Sequence, residues 1–246
     1  MDPLLLLVGG VVFLAGISTG MTGIGFAQLT ATSLGLLIDP KTAVLVLSIT
    51  VPAVSGLQIV RNRRQALPMR RVLPLLVGAL AGVPLGVVLL TVLPSNLIAG
   101  LLGVVTLLFV MTRLARYRPT LDPAHEPYVM PVAGMAAGVF NGTVGVSGPV
   151  LVPLLMSLKL PAATFAYTVS VIFVGMTLVR LTGIVLSGTM SADTFMLGLG
   201  MLVPAVLGQR VGFVLQRWVP ERVFEWIVLA LLSLGGVVLL ARGIGI

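Results

Sequence analysis

The stretch that decides the fold is Gly134-Met-Ala-Ala-Gly-Val-Phe-Asn-Gly-Thr-Val-Gly-Val-Ser-Gly-Pro149, because a weaker copy of it lies about 122 residues earlier. The copy reads Gly16-Ile-Ser-Thr-Gly-Met-Thr-Gly-Ile-Gly-Phe26. Laid over each other without a gap, the two stretches pair Gly16 with Gly138, Gly20 with Gly142, Gly23 with Gly145 and Gly25 with Ser147. Glycine-rich interruptions at equivalent places in two halves of an apolar chain are typical of the binding site of a transporter.

The composition around these stretches is that of a membrane protein. The chain has 246 residues, of which 58% are hydrophobic and 9% charged, whereas soluble domains carry roughly 25% charged residues. Apolar runs long enough to cross a bilayer recur from end to end. We therefore predict one membrane domain over 1–246, with a first repeat at 1–116, a proline-containing linker at 117–127 and a second repeat at 128–246.

The charged and reactive residues exclude several classes of function. The net charge of +8 comes from arginines at the ends of apolar segments, so it reports membrane topology and not a nucleic-acid partner. There is no Cys and only one His, and no motif of a nucleophile, metal or cofactor is present, so we predict no cofactor and no enzyme activity. The first apolar segment lacks a basic region before it, which favours a retained segment of a multi-pass protein of the cell (inner) membrane.

The pattern of apolar runs predicts an all-α polytopic protein of about eight to ten transmembrane or re-entrant helices. In each half, two short segments flank the glycine-rich break as a hairpin, and three full spans follow. The predicted segments are 4–18, 26–38, 41–60, 72–93 and 96–114 in the first half, and 128–140, 150–158, 164–187, 194–215 and 223–240 in the second.

The distribution of arginine predicts that the second half is inverted relative to the first. The loop from Arg61 to Arg71 carries five arginines, the strongest cytoplasmic signal in the chain. Five segments in each half, an odd number, place Lys159, Arg217 and Arg222 on that same side, together with Arg113, Arg116 and Arg118. A parallel arrangement would put Arg217 and Arg222 outside, so the inverted arrangement is favoured.

The spacing Gly138-x-x-x-Gly-x-x-Gly-x-Ser-Gly-Pro149, with its weaker copy at Gly16 to Phe26, resembles the glycine-rich motif of the sulfite exporter TauE/SafE family of membrane transporters. The resemblance extends over the whole chain, in its size, its duplicated halves and the arginine-rich loop. It implies transport of a small anion, sulfite, an organosulfonate or a similar oxyanion, within the lipid bilayer. A homo-oligomer is left open.

The two glycine-rich breaks are the predicted substrate site. An oxyanion needs hydrogen-bond donors, and the backbone N–H groups at the start of a helix supply donors together with a favourable dipole. Packing of helices through small residues is the alternative explanation of the glycines. The residues predicted to bind substrate here are Thr22, Gly23, Gly25 and Gln28 in the first half, and Asn141, Thr143, Gly145, Ser147 and Gly148 in the second.

Two arginines inside apolar spans, Arg180 and Arg210, complete the predicted site, since an ionisable group within the membrane is costly and often functional. For both, a side chain that reaches back to the membrane interface is the competing explanation. Gln58 is the repeat equivalent of Arg180 and is a weaker candidate. Asp39 and Asp193 begin helical segments and are interpreted as helix caps.

No acidic residue falls deep in a span, although proton-coupled carriers commonly use one there. We therefore expect a uniporter-like anion exporter that works by alternating access. An ion-coupled uptake carrier for a sulfur compound or a small carboxylate, a channel, and a membrane component that transports nothing are the alternatives.

Overall fold

The structure is a computed structural model that describes residues 3–115, 121–122, 124–218 and 221–245, with the side chains of 221–224 excepted. In these residues the chain forms ten α-helices. They are α1 (Pro3–Thr22), α2 (Phe26–Leu37), α3 (Pro40–Arg61), α4 (Met69–Val92), α5 (Ser95–Leu114), α6 (Glu126–Val144), α7 (Gly148–Ser157), α8 (Ala162–Leu186), α9 (Ala192–Leu215) and α10 (Glu221–Gly243).

Seven helices of the described chain are long and apolar enough to cross a membrane: α1, α3, α4, α5, α8, α9 and the 225–243 part of α10. The all-helical prediction is therefore confirmed. Most ends of the predicted spans lie within three residues of the observed helix ends. Helices α2 and α7 are short, with 12 and 10 residues, as predicted. Residues 117–120 and 123 of the predicted linker lie outside the described residues, as does Arg116, and α6 begins within the linker at Glu126.

The prediction of a short first helix in each half is wrong. Helix α1 runs for 20 residues to Thr22 and α6 for 19 residues to Val144, so both continue beyond the predicted ends at residues 18 and 140. The sequence suggested a break at Gly20 because glycine weakens an isolated helix. In the structure Gly20 and Gly142 stay helical because each lies against the backbone of another helix.

Glycines hold each of these long helices directly against a helix from the other half. A Cβ atom at Gly138 of α6 would lie 2.1 Å from the carbonyl oxygen of Ala79 in α4, and one at Gly16 of α1 would lie 2.5 Å from the carbonyl oxygen of Ala205 in α9. Both distances are too short for a real side chain. The small-residue packing proposed as the alternative is therefore the role of Gly16, Gly20, Gly138 and Gly142.

The central pair of helices, α3 and α8, is related as an inverted repeat requires. Ser48 of α3 contacts Arg180 of α8, while Gln58 and Ser170, at the other ends of the same helices, line one cavity. Residue numbers rise in α3 as they fall in α8, so these equivalent helices run antiparallel. The structure is thus consistent with the predicted inverted repeat.

The interpretation of Asp39 as a helix cap is confirmed. Its carboxylate accepts a hydrogen bond from the backbone N–H of Thr42 at 3.0 Å, and Pro40 takes the first position of α3, where no N–H is needed. In α9 the cap is Ser191, which accepts from the N–H of Thr194, and Asp193 lies in the first turn. Asp193 therefore sits beside the cap and does not form it.

Candidate substrate pathway

The two glycine-rich breaks meet at one cavity in the middle of the helix bundle. The cavity is small: the space open to the centres of water molecules is ≈ 40 Å³, whereas about 10–15 Å³ is enough for one water, so a few waters or a ligand of similar size fill it. Residues of both breaks line it, although they are more than 100 positions apart in the chain. They are Gly23, Gly25 and Gln28 from the first half, and Ser147 and Gly148 from the second.

The first break turns the chain from α1 into α2 through two left-handed glycines. Gly23 has a φ of 79° and Gly25 a φ of 106°, values that residues with a side chain rarely adopt. Gly25 is the N-cap of α2 and no side chain caps that helix. The N–H groups of the first turn, from Phe26 to Gln28, have no partner within the helix, and all three residues line the cavity.

The second break presents a buried hydroxyl to the same cavity. Ser147 is the N-cap of α7, yet its side chain makes no capping hydrogen bond. The hydroxyl is buried, with 1% of Ser147 exposed, and has no hydrogen-bond partner. Pro149 removes one backbone donor from the first turn. The Ser147 hydroxyl and the start of α7 are therefore available to a ligand.

Neutral polar side chains from α1, α3 and α8 complete the lining of the cavity. Gln58 donates from Nε2 to the carbonyl oxygen of Thr19 at 3.3 Å, and the Thr19 hydroxyl is buried without a partner. Ser55 and Ser170 line the wall beside them, and no lining residue in the described chain is charged. A neutral surface with several donors suits an anion, because no carboxylate repels it.

Of these residues, sequence reasoning treated Gln58 as a weak candidate and missed Thr19, Ser55 and Ser170. The available signal was the alignment of the two halves at an offset of about 122 residues, which pairs Ser170 with Ser48 and places polar residues at equivalent positions of equivalent helices. Isolated serines and threonines in apolar helices usually bond to their own backbone, as Ser170 does to the carbonyl of Ala166 at 2.7 Å. Sequence alone could not tell which of them face a cavity.

Gln28 is held at the edge of the cavity by α5. Its Nε2 donates to the hydroxyl of Thr106 at 2.7 Å, and Thr106 also contacts the hydroxyl of Thr32 at 3.0 Å. The Oε1 atom of Gln28 is buried without a partner. Gln28 is thus fixed in position and keeps one unused hydrogen-bonding atom.

Arg180 forms a separate, closed cluster with the predicted residues Asn141 and Gly145. Its side chain is fully buried, so the interpretation as a side chain that reaches the membrane interface is wrong. Nε donates to the hydroxyl of Ser48 at 3.0 Å, and Nη1 donates to the carbonyl oxygen and to Oδ1 of Asn141 at 2.8 and 3.2 Å. A Cβ atom at Gly145, where φ is 78°, would lie 3.4 Å from Nη1. We call these residues, with Thr177 one turn before Arg180, the Arg180 cluster.

The Arg180 cluster is the repeat equivalent of the cavity wall around Gln58. Arg180 donates to the carbonyl of Asn141 as Gln58 donates to that of Thr19, and Gly145 abuts Arg180 as Gly23 abuts Gln58. Ser48 of the opposite half accepts a hydrogen bond from Arg180, and Ser170 of the opposite half lines the same cavity as Gln58. At a constant offset of about 122 residues, the pairs are Thr19/Asn141, Gly23/Gly145, Ser48/Ser170, Ser55/Thr177 and Gln58/Arg180.

Three predicted site residues lie elsewhere. Thr143 donates to the carbonyl of Val139 at 2.8 Å and contacts that of Gly86 at 3.2 Å, so it joins α6 to α4. Thr22 binds the carbonyls of Ser18 and Ile24 and lines a smaller neighbouring cavity. Arg210 is exposed on the outer face of α9, as expected for a side chain that reaches the interface, while its neighbour Gln209 is buried. The structure does not bring Arg210 to the cavity.

Comparison with known proteins assigns a family to this architecture. A family model described as Sulfite exporter TauE/SafE matches residues 8–239, which is nearly the whole chain. The protein belongs to the TauE/SafE family. No curated protein and no solved structure matches the chain.

Membership of the TauE/SafE family makes this chain a transporter and not an enzyme. The family's substrates are small sulfur anions, and its members are embedded in a membrane. The seven long apolar helices agree with a multi-pass membrane protein.

Proposed function

We propose that this TauE/SafE protein exports sulfite, an organosulfonate or a related sulfur oxyanion across the inner membrane by alternating access. The substrate site is the cavity between the two glycine-rich breaks. There the anion receives hydrogen bonds from the Ser147 hydroxyl and from backbone N–H groups at the start of α2, with the dipoles of α2 and α7 favouring negative charge.

The observation that carries this proposal is the Ser147 hydroxyl. It occupies a capping position, is 1% exposed, and has neither a capping bond nor another partner, although it faces a cavity. A buried hydroxyl without a partner costs free energy that a bound ligand or water recovers. The cavity is also lined by uncharged residues, and the N-termini of α2 and α7 lie at it. A small oxyanion is therefore the ligand that fits it best.

The proposed direction follows from the arginine-rich loop. Gln58, on the cavity wall, lies one helical turn before Arg61, at the end of α3 that leads into that loop. If the loop is cytoplasmic, as its charge predicts, this conformation admits an anion from the cytoplasm. An anion that leaves a negative-inside cell gains about 2.3 kcal/mol per charge per 100 mV, so export needs no coupled ion.

The test is flux of radiolabelled sulfite from liposomes that contain the purified protein. We expect saturable efflux that rises when a potassium gradient sets the membrane potential to drive anions out, with no requirement for a sodium or pH gradient. Ser147→Ala should reduce the flux at least about tenfold, since a hydrogen bond to a charged group contributes about 1.5–3 kcal/mol. Ser233→Ala, which removes a hydroxyl bonded only to its own helix, is the matched control.

Flux that depends on a sodium or proton gradient at fixed voltage would replace export with ion-coupled uptake. A wild-type protein that carries no sulfur oxyanion would refute the proposal as a whole. Because the chain contains no Cys, the side to which this conformation opens can be tested separately: without substrate, Ser55→Cys should react faster with an impermeant thiol reagent added from the cytoplasmic side.

A further inference from the structure

We propose that the Arg180 cluster is a second anion-binding half-site of the transport pathway, closed in this conformation, which binds an oxyanion through Arg180 Nη2 and the Thr177 hydroxyl. The proposal rests on the proposed transport function. It adds a cationic site, distinct from the neutral cavity, where a buried positive charge selects for anions.

The first reason is that Arg180 is a buried cation without a countercharge. A guanidinium group keeps its charge in proteins, and burial of an unpaired charge is expensive. Among the described residues no ion pair includes Arg180; those present join Arg71 to Glu126, Arg113 to Glu225 and His125 to Asp122. An anionic substrate is the natural countercharge for such a group.

The second reason is that two hydrogen-bonding groups in the cluster are unused. Nε and Nη1 of Arg180 are satisfied by Ser48 and Asn141, but Nη2 is buried without a partner. The Thr177 hydroxyl is also fully buried without a partner. Residues three apart on a helix share a face, so Thr177 and Arg180 project from the same side of α8, and we assign both donors to one oxyanion.

The third reason is the position of the cluster relative to the cavity. Gly145 abuts Arg180, whereas Val146, Ser147 and Gly148 line the cavity. The second glycine-rich break is therefore the wall between the two places. A shift of this short irregular segment would join them without unfolding a helix, so an anion at Ser147 is separated from Arg180 by only that segment.

The repeat explains why the cluster is closed here. Its counterpart around Gln58 is part of the open cavity, and the two are related by the antiparallel crossing of α3 and α8. In an alternating-access cycle of inverted repeats, the conformations of the two halves are exchanged. The Arg180 cluster then takes the open form when the Gln58 wall closes, and it presents the cation to the opposite side of the membrane.

The test is equilibrium binding of sulfite, and of methanesulfonate as a stable sulfonate, to the full-length protein in nanodiscs. Arg180→Gln places in the second half the residue that the first half has at Gln58. We expect it to weaken sulfite binding at least tenfold and to reduce the thermal stabilisation by sulfite, which the intact cavity at Ser147 still provides in part. The melting temperature without anion should be equal to or above that of the wild type, because an unpaired buried charge is gone. Arg210→Gln, which removes an exposed arginine, should change none of these values.

Thr177→Val keeps the size of the side chain and removes only the unused hydroxyl, so it tests the site without disturbing Arg180. We expect several-fold weaker binding in a fully folded protein, which holds even if Arg180→Gln fails to fold. Wild-type sulfite affinity in Thr177→Val would overturn the two-donor half-site, and wild-type affinity in a folded Arg180→Gln would overturn it as well, leaving a cluster with a structural role only. In that outcome transport by the wild type would persist, so the proposed function would stand.

Discussion

The wall around Gln58 and the cluster around Arg180 occupy equivalent places in the two halves, and they differ in charge and in access. Both are built by a left-handed glycine, a polar residue of the long first helix and a serine of the opposite half. The first is neutral and opens into the cavity, whereas the second is cationic and sealed. The backbone scaffold therefore follows the duplication, while the chemistry at each place depends on which side chain the scaffold holds.

The scaffold itself can be broken in either half. Gly138→Ala would place a methyl group 2.1 Å from the Ala79 carbonyl, and Gly16→Ala would place one 2.5 Å from that of Ala205, with backbone on both sides. We expect each change to lower the free energy of unfolding by about 3 kcal/mol or more, because neither helix can approach its partner. Unfolding in mixed micelles titrated with sodium dodecyl sulfate measures this loss.

Gly10→Ala is the control for both substitutions, since a Cβ atom there meets nothing within 4 Å. It should leave stability unchanged or raise it by up to about 1 kcal/mol, as alanine favours a helix. If only one of the two interface glycines proved sensitive, the scaffolds of the halves would not be equivalent.

The two equivalent serines should respond differently. Ser48 accepts a hydrogen bond from Arg180 Nε, so Ser48→Ala leaves a buried charged donor without a partner and should cost about 1–3 kcal/mol. Ser170 bonds only to its own helix at the cavity wall, and Ser170→Ala should change stability by no more than about 0.5 kcal/mol. The same unfolding titration, run in parallel, compares them; equal losses would mean that the Arg180 contact contributes nothing.

The two left-handed glycines provide the finest comparison. At either position, the left-handed backbone conformation costs alanine about 1 kcal/mol or more relative to glycine. At Gly145 its Cβ atom would also lie 3.0 Å from Leu47 Cδ1 and 3.4 Å from Arg180 Nη1, whereas at Gly23 the nearest atom is 3.5 Å away. We expect Gly145→Ala to be less stable than Gly23→Ala by about 1 kcal/mol. Thermal unfolding of the two variants, followed by intrinsic fluorescence, measures the difference. A more sensitive Gly23 would indicate that the first break is the more tightly packed of the two.

Much of the architecture could be predicted because it depends on local patterns. Long apolar runs identify the spans, and Asp39-Pro40 identifies the start of α3, since burial of apolar surface and capping act within a few residues. The ends of α1 and α6 could not be predicted. Gly20 and Gly142 are poor helix formers in isolation, and only the partner helices α9 and α4, distant in the chain, make them favourable there.

The candidate site was partly predictable for the same reason. The breaks with Gly23, Gly25, Ser147 and Gly148 were visible as a repeated motif, and they do meet at the cavity. By contrast, Arg180 and Arg210 are both single arginines in apolar helices, and nothing in their neighbours in sequence separates them. Which face each arginine presents to the bundle depends on contacts with other helices, so one is fully buried and the other exposed.

The sequence by itself determined a membrane protein of two duplicated halves, its family and the positions of its two glycine-rich breaks, because hydropathy, spacing and motif are properties of the chain. Only the tertiary structure decided which side chains meet. It placed Ser147 and the start of α2 at one cavity and enclosed Arg180 with Ser48 and Asn141 behind the second break. The physical reason is that these contacts join residues far apart in the chain, by 132 positions for Ser48 and Arg180 and by 39 for Asn141 and Arg180, and depend on how the helices pack.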